Sequence, residues 1–589
     1  MNRWAGIDPE RKLATVEPGI VLDRLREASE VHRLTYGPDP ATHNRGTLGG
    51  MIGNNSCGVH GLLAGKVADN VESLDVVLYD GTRMTVGKAG PDELEAILRA
   101  GGRKGQIYAG LKSIRDRYAG LVRERFPNIP RRVSGYNLDE LLPENGFHVA
   151  RALVGTEGTC VNVVSATLNL TASPQHRLLV VIGFPDEFLA ADAVPRALAH
   201  NPIGLEGFDH LLVEFMRRKG LAVAQLQSLP EGVGFLLVEM GADSPEEVRS
   251  RAEEVARDAA SWPGSPIAHV CTPEEARSVW YVRESALGAV VFVPGEPDRF
   301  EGWEDAAVPP HRLGEYLRAI TALMNEYGYS SPFYGHYGQG CVHTRINFDF
   351  RSEAGIRKFR EFVDRAADVV LRFGGSFSGE HGDGQSRAVL LPKMFGSELM
   401  GAFREFKLLW DPDNRMNPGK LIDAVRVYDP VENLRHPVRG GESSSAGPRQ
   451  QRGAEDASAE AVHKEFETHF AFSKDGGSFE RATERCVGVG ACRQASGGVM
   501  CPSYQGTGEE MHSTRGRAHM LWEMLAGSLQ PEGFSSEVVE EALSLCLSCK
   551  ACKTECPVQV DMAQYKAEFL AQHYKDRRRP LQHYVFGFA

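Results

Sequence analysis

The chain has 589 residues, too many for one hydrophobic core, and its 42% apolar and 24% charged side chains are ordinary globular usage. A net charge of −12 offers no basic field to nucleic acid or anionic lipid. No stretch approaches the ~20 apolar residues of a membrane span, and MNRWAGIDPERKL has no apolar signal region, so a reducing, cytoplasmic setting is expected. The basic run KDRRRP (575–580) reads as a solvated helix end, with at most a peripheral contact at the inner face of a membrane.

In chain order, residues 1–172 alternate β-rich runs (LATVEPG, SLDVVLYDG, NVVSATLNL) with the helical segments DELEAILRA and KGQIYAGLKSIRDRYAGLV. Glycine-rich turns are expected around 46–65. Residues 173–427 continue with strand LLVVIGF, helix ADAVPRALAH, strand GVGFLLVEM and helix PEEVRSRAEEVARDAASW. That pattern fits an α+β domain with an antiparallel sheet covered by helices. Residues 433–461 have almost no large apolar side chain and read as a linker. Residues 462–589 are expected to be mostly helical.

Seven of the eleven cysteines crowd between 486 and 556. Cys546, Cys549, Cys552 and Cys556 form C-x2-C-x2-C-x3-C-P, a spacing used for paired iron–sulfur clusters in which the fourth cysteine serves the other cluster. Zinc is the competing reading. A second group, Cys486 and Cys492 followed by Cys501-Pro502, repeats the ending, but Val489 stands at the middle position. By exchange, Cys501 completes one four-thiolate site with Cys546, Cys549 and Cys552. Cys486, Cys492 and Cys556 then supply three thiolates, enough for a [3Fe-4S] cluster or a [4Fe-4S] cluster with a non-cysteine ligand.

Residues 37–65 are rich in glycine but do not form G-x-G-x-x-G, so a nicotinamide site is not supported. GPDPAT, TLGGMIGNNSCG, KVADNVESLDVVLYDG and LVGTEGT resemble the FAD-binding domain of vanillyl-alcohol-oxidase-type flavoproteins. The nearer likeness is to the branch of D-lactate and D-2-hydroxyglutarate dehydrogenases and the glycolate oxidase flavin subunit, whose bacterial members carry a fused ferredoxin-like domain. The resemblance implies an α+β fold: a partial FAD-binding domain (1–172), an α+β substrate cap (173–427) and, behind the linker, a mostly helical [4Fe-4S] domain (462–589). It implies FAD contacts from Pro40, Thr42, Gly49, Gly50, Asn54, Ser56, Gly58, Val71, Gly158 and, near the flavin, Asn417. The family places an FAD subdomain ahead of IDPERKLATVEPG and a cysteine-rich region behind HYVFGFA. Neither has a counterpart here, so a fragment with weakened FAD binding is expected.

His336 and His343 flank a glycine-rich turn, and Glu380 and His381 stand side by side in GGSFSGEHGDGQSR. His336, His343 and Glu380 make a two-histidine, one-carboxylate set for zinc or manganese with positions left open. The resemblance puts the family's metal and base on these same motifs, with His381 as general base. Arg283 in WYVRE is the candidate for gripping a substrate carboxylate. WEDAAVP (303–309) lacks the lysine of 2-hydroxyglutarate dehydrogenases, so His311, Arg312 or Arg345 would have to meet a distal carboxylate. The expected activity is oxidation of D-lactate or D-2-hydroxyglutarate, with electrons leaving through the clusters to a quinone or electron-transfer protein. An iron–sulfur relay without a competent flavin site is the alternative. An alcohol or sugar oxidase on the same flavin fold would not need the metal residues.

Overall fold

Apolar runs with period two open the chain and pair into sheets. The computed structural model describes residues 1–424, 467–494, 498–526 and 533–587, so the expected linker at 433–461 lies outside the described residues. Strands β1 (Trp4–Asp8), β2 (Leu13–Val16), β3 (Leu34–Thr35), β4 (Val71–Val77), β5 (Arg83–Gly87), β6 (Asn162–Asn169) and β7 (Thr171–Ala172) occupy the front. Five of them form an antiparallel sheet in the order β1-β2-β6-β4-β5, and β3 pairs with β7.

The second sheet gathers β8 (His176–Phe184), β9 (Gly204–Asp209), β10 (Gly234–Ala242), β11 (Ile267–Val270), β12 (Asp305–Ala307), β13 (Phe333–Gly335) and β14 (Cys341–Thr344). Its order is β11-β8-β10-β9-β13-β14-β12, and every pair is antiparallel. β9 and β10 are buried at every position, so both faces of the sheet are covered there. One covering helix, Pro245–Ala259, starts from a Ser244 hydroxyl that accepts the Glu247 N–H and buries Val248, Ala252, Val255 and Ala259 at helical spacing.

Two local expectations change. ADAVPRALAH is not one helix: Glu187–Asp192 ends and Val194–Leu198 begins with Pro195 in its first turn, where the missing N–H costs nothing. Part of the glycine-rich stretch is helical rather than turn, over Leu48–Asn54 and Gly61–Ala64. Leu48, Met51 and Ile52 bury one side of the first helix, and a Cβ at Gly49 would lie 2.6 Å from the Pro18 Cβ. Glycine there permits close packing, and Asn55 in the left-handed region ends the helix.

The chain clusters into two compact units, one covering most of residues 1–424 and the other the residues from 467 onward with 287–292 and 349–356. Past 467 the described residues contain helices and no strand, the longest being Thr514–Leu525 and Met562–His573. Ser513, Ser536 and Asp561 each cap a helix by accepting a backbone N–H. Among the described residues no helix is long and apolar enough to cross a membrane.

The turn between β13 and β14 sets the register that carries the site. Gly340 has φ +72°, and a Cβ there would lie 1.8 Å from the Val308 carbonyl oxygen. Gly401, inside the helix Leu391–Trp410, faces open space. Gly340→Ala should therefore cost about 2 kcal/mol, whereas Gly401→Ala should gain about 0.5–1 kcal/mol from helix propensity. Thermal unfolding of both variants checks this; a Gly340→Ala midpoint at or above the parent's would refute the reading of the turn.

Candidate active site

β13 delivers His336 at its end, and β14 carries His343 directly opposite Asp305 of β12. The 378–381 loop then brings in Glu380 and His381. One oxygen of Glu380, Oε1, lies 3.1 Å from His336 Nε2, 3.1 Å from His343 Nε2 and 3.4 Å from His381 Nε2. The His336 and His343 rings stand perpendicular with centroids 5.2 Å apart, while His343 and His381 stack at 4.9 Å.

The far nitrogens show how the rings are oriented. His336 Nδ1 lies 2.7 Å from Glu206 Oε1, His343 Nδ1 3.3 Å from the Glu304 carbonyl, and His381 Nδ1 2.9 Å from Glu304 Oε1. Carboxylate and carbonyl oxygens only accept, so each neutral ring places its hydrogen on Nδ1 and turns the Nε2 lone pair toward Glu380. Lone pairs meeting on a carboxylate repel unless positive charge sits among them. The ligand atoms of His336, His343 and Glu380 all fall within 4.8 Å of one another, close enough that they could hold a divalent ion.

The loop bearing Glu380 is neither solvated nor loose. Ser376, Ser378 and Glu380 are buried, and Asp305 Oδ2 accepts the Ser378 hydroxyl (2.6 Å) and the N–H groups of Gly379 (3.2 Å), Glu380 (3.2 Å) and His381 (2.8 Å). The residue types alone leave the metal to fix Glu380; the backbone is in fact held by this carboxylate. Arg131, fully buried, donates Nη1 to Glu380 Oε2 at 2.9 Å, Nε to Gln339 at 2.7 Å and Nη2 to the Gly58 carbonyl.

Although burial works against its charge, contacts with His336, His343 and His381 hold the Glu380 carboxyl well below the usual carboxylate range. Burial likewise opposes the His381 charge, yet Asp305, Glu304 and Glu380 raise its pKa well above the ordinary histidine value. His381 is the accessible member of the group, with 40% of its side chain exposed against 6–10% for His343, His336 and Glu380.

Arg283 is buried and pairs with Glu206 at 2.7 Å, while its Nε finds no acceptor among the described residues. Arg345 sits beside the site, bound to Glu304 at 3.0 Å and Glu301 at 3.2 Å. Arg312 turns instead to Glu315, and its neighbour His311 on the same Pro310–Arg312 turn is exposed. Arg387 closes the GGSFSGEHGDGQSR stretch, where its residue type alone does not single it out; it donates to Glu304 Oε1 at 2.5 Å and the Gly382 carbonyl at 2.9 Å.

The residues assigned to FAD divide. Gly49 and Gly158 line a cleft of about 590 Å3 with Thr47, Ile52, Gly53 and Thr156. Cβ atoms at Gly53 or Gly158 would meet nothing within 4 Å, leaving bare backbone on which a flat ring system can lie. Asn54 donates Nδ2 to the Glu380 carbonyl at 2.6 Å, tying the glycine helix to the site, and Asn417 donates to the Glu157 carbonyl beside Gly158 at 2.7 Å. Ser56 and Gly58 spend their carbonyls on Val67 N–H and Arg131. Gly50 lies on the exposed side of its helix, and Pro40 and Thr42 form the turn before it, their carbonyls accepting from His43 and from Arg45 and Gly46. Val71, at the start of β4, has no exposed surface.

In the second unit Cys501, Cys546, Cys549 and Cys552 line one small cavity, the grouping expected from exchange. Burial raises the Cys486 and Cys492 thiols, and Cys556 lies near enough to both to add to that. Four thiols around one space fit an iron–sulfur cluster, and Val489 adds no ligand to the other group.

Three family models match this chain: an FAD binding domain over residues 1–87, the C-terminal domain of FAD linked oxidases over 173–421, and a 4Fe-4S dicluster domain over 482–560. The chain carries an FAD binding domain, a C-terminal domain of the FAD linked oxidases and a 4Fe-4S dicluster domain. It is 29% identical to D-2-hydroxyglutarate dehydrogenase of Pseudomonas putida over 632 residues, covering 100% of this chain and 60% of that protein. The Escherichia coli D-2-hydroxyglutarate dehydrogenase is 26% identical, over 99% of this chain and 60% of its own length. A D-lactate dehydrogenase of Archaeoglobus fulgidus is 28% identical over 71% of this chain and 78% of its own. The chain thus spans about 60% of the length of the two D-2-hydroxyglutarate dehydrogenases.

In the first unit one ion cluster ties the glycine-rich segment to the larger sheet. His60 Nδ1 lies 2.5 Å from Asp39 Oδ2 and its Nε2 2.5 Å from Glu239 Oε2 on β10. Burial works against the charge, but the two carboxylates raise the His60 pKa to about 10. A pKa raised above the unfolded value of ~6.5 gives stability that is complete below that pH and is lost as pH rises through about 10. The thermal midpoint should fall between pH 7 and 10, and fall less in His60→Gln; parallel declines in both proteins would contradict the role given to His60.

Proposed function

We propose that this chain carries the active site of an FAD- and iron–sulfur-dependent dehydrogenase that oxidises a D-2-hydroxy acid, D-lactate or D-2-hydroxyglutarate, to the 2-oxo acid. Its electrons would pass to an external quinone or electron-transfer protein. The convergence of His336, His343 and His381 Nε2 on Glu380 Oε1 carries this reading. It is supported by the likeness to D-2-hydroxyglutarate and D-lactate dehydrogenases.

His336, His343 and Glu380 would hold a zinc or manganese ion, and the cleft beside Gly49 and Gly158 would hold part of the FAD. When bound, the ion supplies a Lewis acid for the 2-hydroxyl, FAD a two-electron acceptor, and the iron–sulfur centres one-electron carriers. His381, oriented through Nδ1 by Glu304 and partly exposed, takes the hydroxyl proton on Nε2. Its raised pKa comes, against burial, from the neighbouring Asp305, Glu304 and Glu380, so positive charge placed on Glu380 draws it back toward the neutral form a base requires. Arg283 offers its unpaired Nε to the substrate carboxylate.

Charge balance supports an anionic substrate. Around the site the carboxylates of Glu206, Glu304, Asp305 and Glu380 are matched by the guanidiniums of Arg131, Arg283, Arg345 and Arg387. With the imidazoles neutral, a divalent ion adds two positive charges to a buried, balanced group. A 2-hydroxy acid returns one negative charge with its carboxylate, and the proton its hydroxyl gives up stays within the group on His381.

His381→Gln should lower turnover by about 100- to 10,000-fold with bound metal unchanged, while Glu380→Gln should lose the metal. Metal analysis and anaerobic absorption spectra of FAD-loaded protein check both. Flavin absorption should bleach with D-lactate or D-2-hydroxyglutarate in the parent protein. Iron–sulfur absorption without a flavin that either acid bleaches would instead favour an electron relay.

A further inference from the structure

The two cysteine groups of the second unit share one structural element. Helix Thr514–Leu525 begins between them, and its first residues donate to thiols on both sides. The Arg515 backbone N–H lies 3.3 Å from Cys492 Sγ. Two residues on, the guanidinium of Arg517 turns to the other group, with Nη1 3.3 Å from Cys501 Sγ. Arg517 is wholly buried, and its remaining donors hold it in place: Nε reaches the Ala542 carbonyl at 2.8 Å and Nη2 the Ser503 hydroxyl at 2.9 Å. Ser503 in turn donates to the His512 carbonyl at 2.9 Å.

Among the described residues, only Cys501 receives a full side-chain positive charge in this way. Each electron added to an iron–sulfur centre increases the negative charge on its thiolates, so a fixed cation hydrogen-bonded to one sulfur favours the reduced state. A backbone N–H on Cys492 acts in the same direction with a partial charge. Cys549, in the same group as Cys501, is the exposed thiol among the seven. Solvent at that edge also favours added charge.

We infer that Arg517 selectively raises the reduction potential of the centre formed by Cys501, Cys546, Cys549 and Cys552, leaving the Cys486, Cys492 and Cys556 centre little changed. Arg517 is a positioning residue acting through sulfur, and the 513–517 turn is the element through which both centres are tuned. The inference deepens the dehydrogenase reading only in taking the two cysteine groups as iron–sulfur centres.

The test uses the full chain, purified anaerobically, with iron content measured and midpoint potentials followed by electron paramagnetic resonance. Arg517→Gln should lower one midpoint by about 59 mV, a tenfold change in a one-electron equilibrium, and move the other by less than half as much. Arg517→Lys, which keeps the charge, should recover much of the shift, as a purely structural role would not require. Cys549→Ser should alter the signal of the centre that Arg517→Gln shifts. If Arg517→Gln fails to retain iron, Ser503→Ala, which frees the guanidinium, should lower the same midpoint to a smaller degree. Unchanged midpoints in iron-containing variants, or a shift confined to the centre that Cys549→Ser leaves untouched, would overturn the inference. Absence of iron from the parent protein would contradict the cluster reading beneath it, a result distinct from an unmoved potential and from the fate of the flavin chemistry.

Discussion

The carboxylate of Asp305 holds three successive backbone N–H groups and a serine hydroxyl of the segment that presents Glu380 and His381. Everything else at the site depends on that anchorage, because the segment's own residues are too glycine-rich to keep a conformation unaided. Asp305 lies on β12 opposite His343, so the same strand pair fixes a histidine and the loop that faces it. The position of Glu380 Oε1 among three imidazoles therefore follows from sheet register. Arg131 secures the other carboxylate oxygen, so Glu380 has little freedom to rotate away.

A buried group of this charge density is costly unless each member is paired. The pairing is nearly complete: Glu206 links His336 to Arg283, and Glu304 links His381 to Arg345 and Arg387. The carboxylates orient the rings from behind, and the arginines keep the carboxylates from repelling one another. Among the described residues, what remains open is the His381 edge and the Arg283 Nε. The site is rigid toward the protein and accessible on one side.

Much of this is legible in the sequence, though unequally. Four of the seven clustered cysteines stand within eleven residues, so their spacing alone suggests cluster ligands, and Cys501 lines one cavity with three of them, Cys546, Cys549 and Cys552. His336, His343, Glu380 and His381 carry local motifs, and residue type and spacing suffice to group them. Their partners carry no such mark. Arg131, Glu206 and Asp305 reach Glu380 or His336 across 249, 130 and 75 residues, and nothing in PRRV or GLEGF singles them out. WEDAAVP draws attention for a missing lysine, while its two carboxylates, Glu304 and Asp305, are the residues that organise the site. The Leu48–Asn54 helix is hidden for another reason: glycine content argues for a turn, whereas here it answers the close approach of Pro18.

The most direct test of the account is the zinc K-edge absorption spectrum of the zinc-loaded protein. The account predicts a shell of nitrogen and oxygen at about 2.0–2.2 Å, with imidazole scattering that disappears in Glu380→Gln. Sulfur in the first shell, or an identical spectrum in the variant, would place the metal elsewhere and contradict the role assigned to His336, His343 and Glu380.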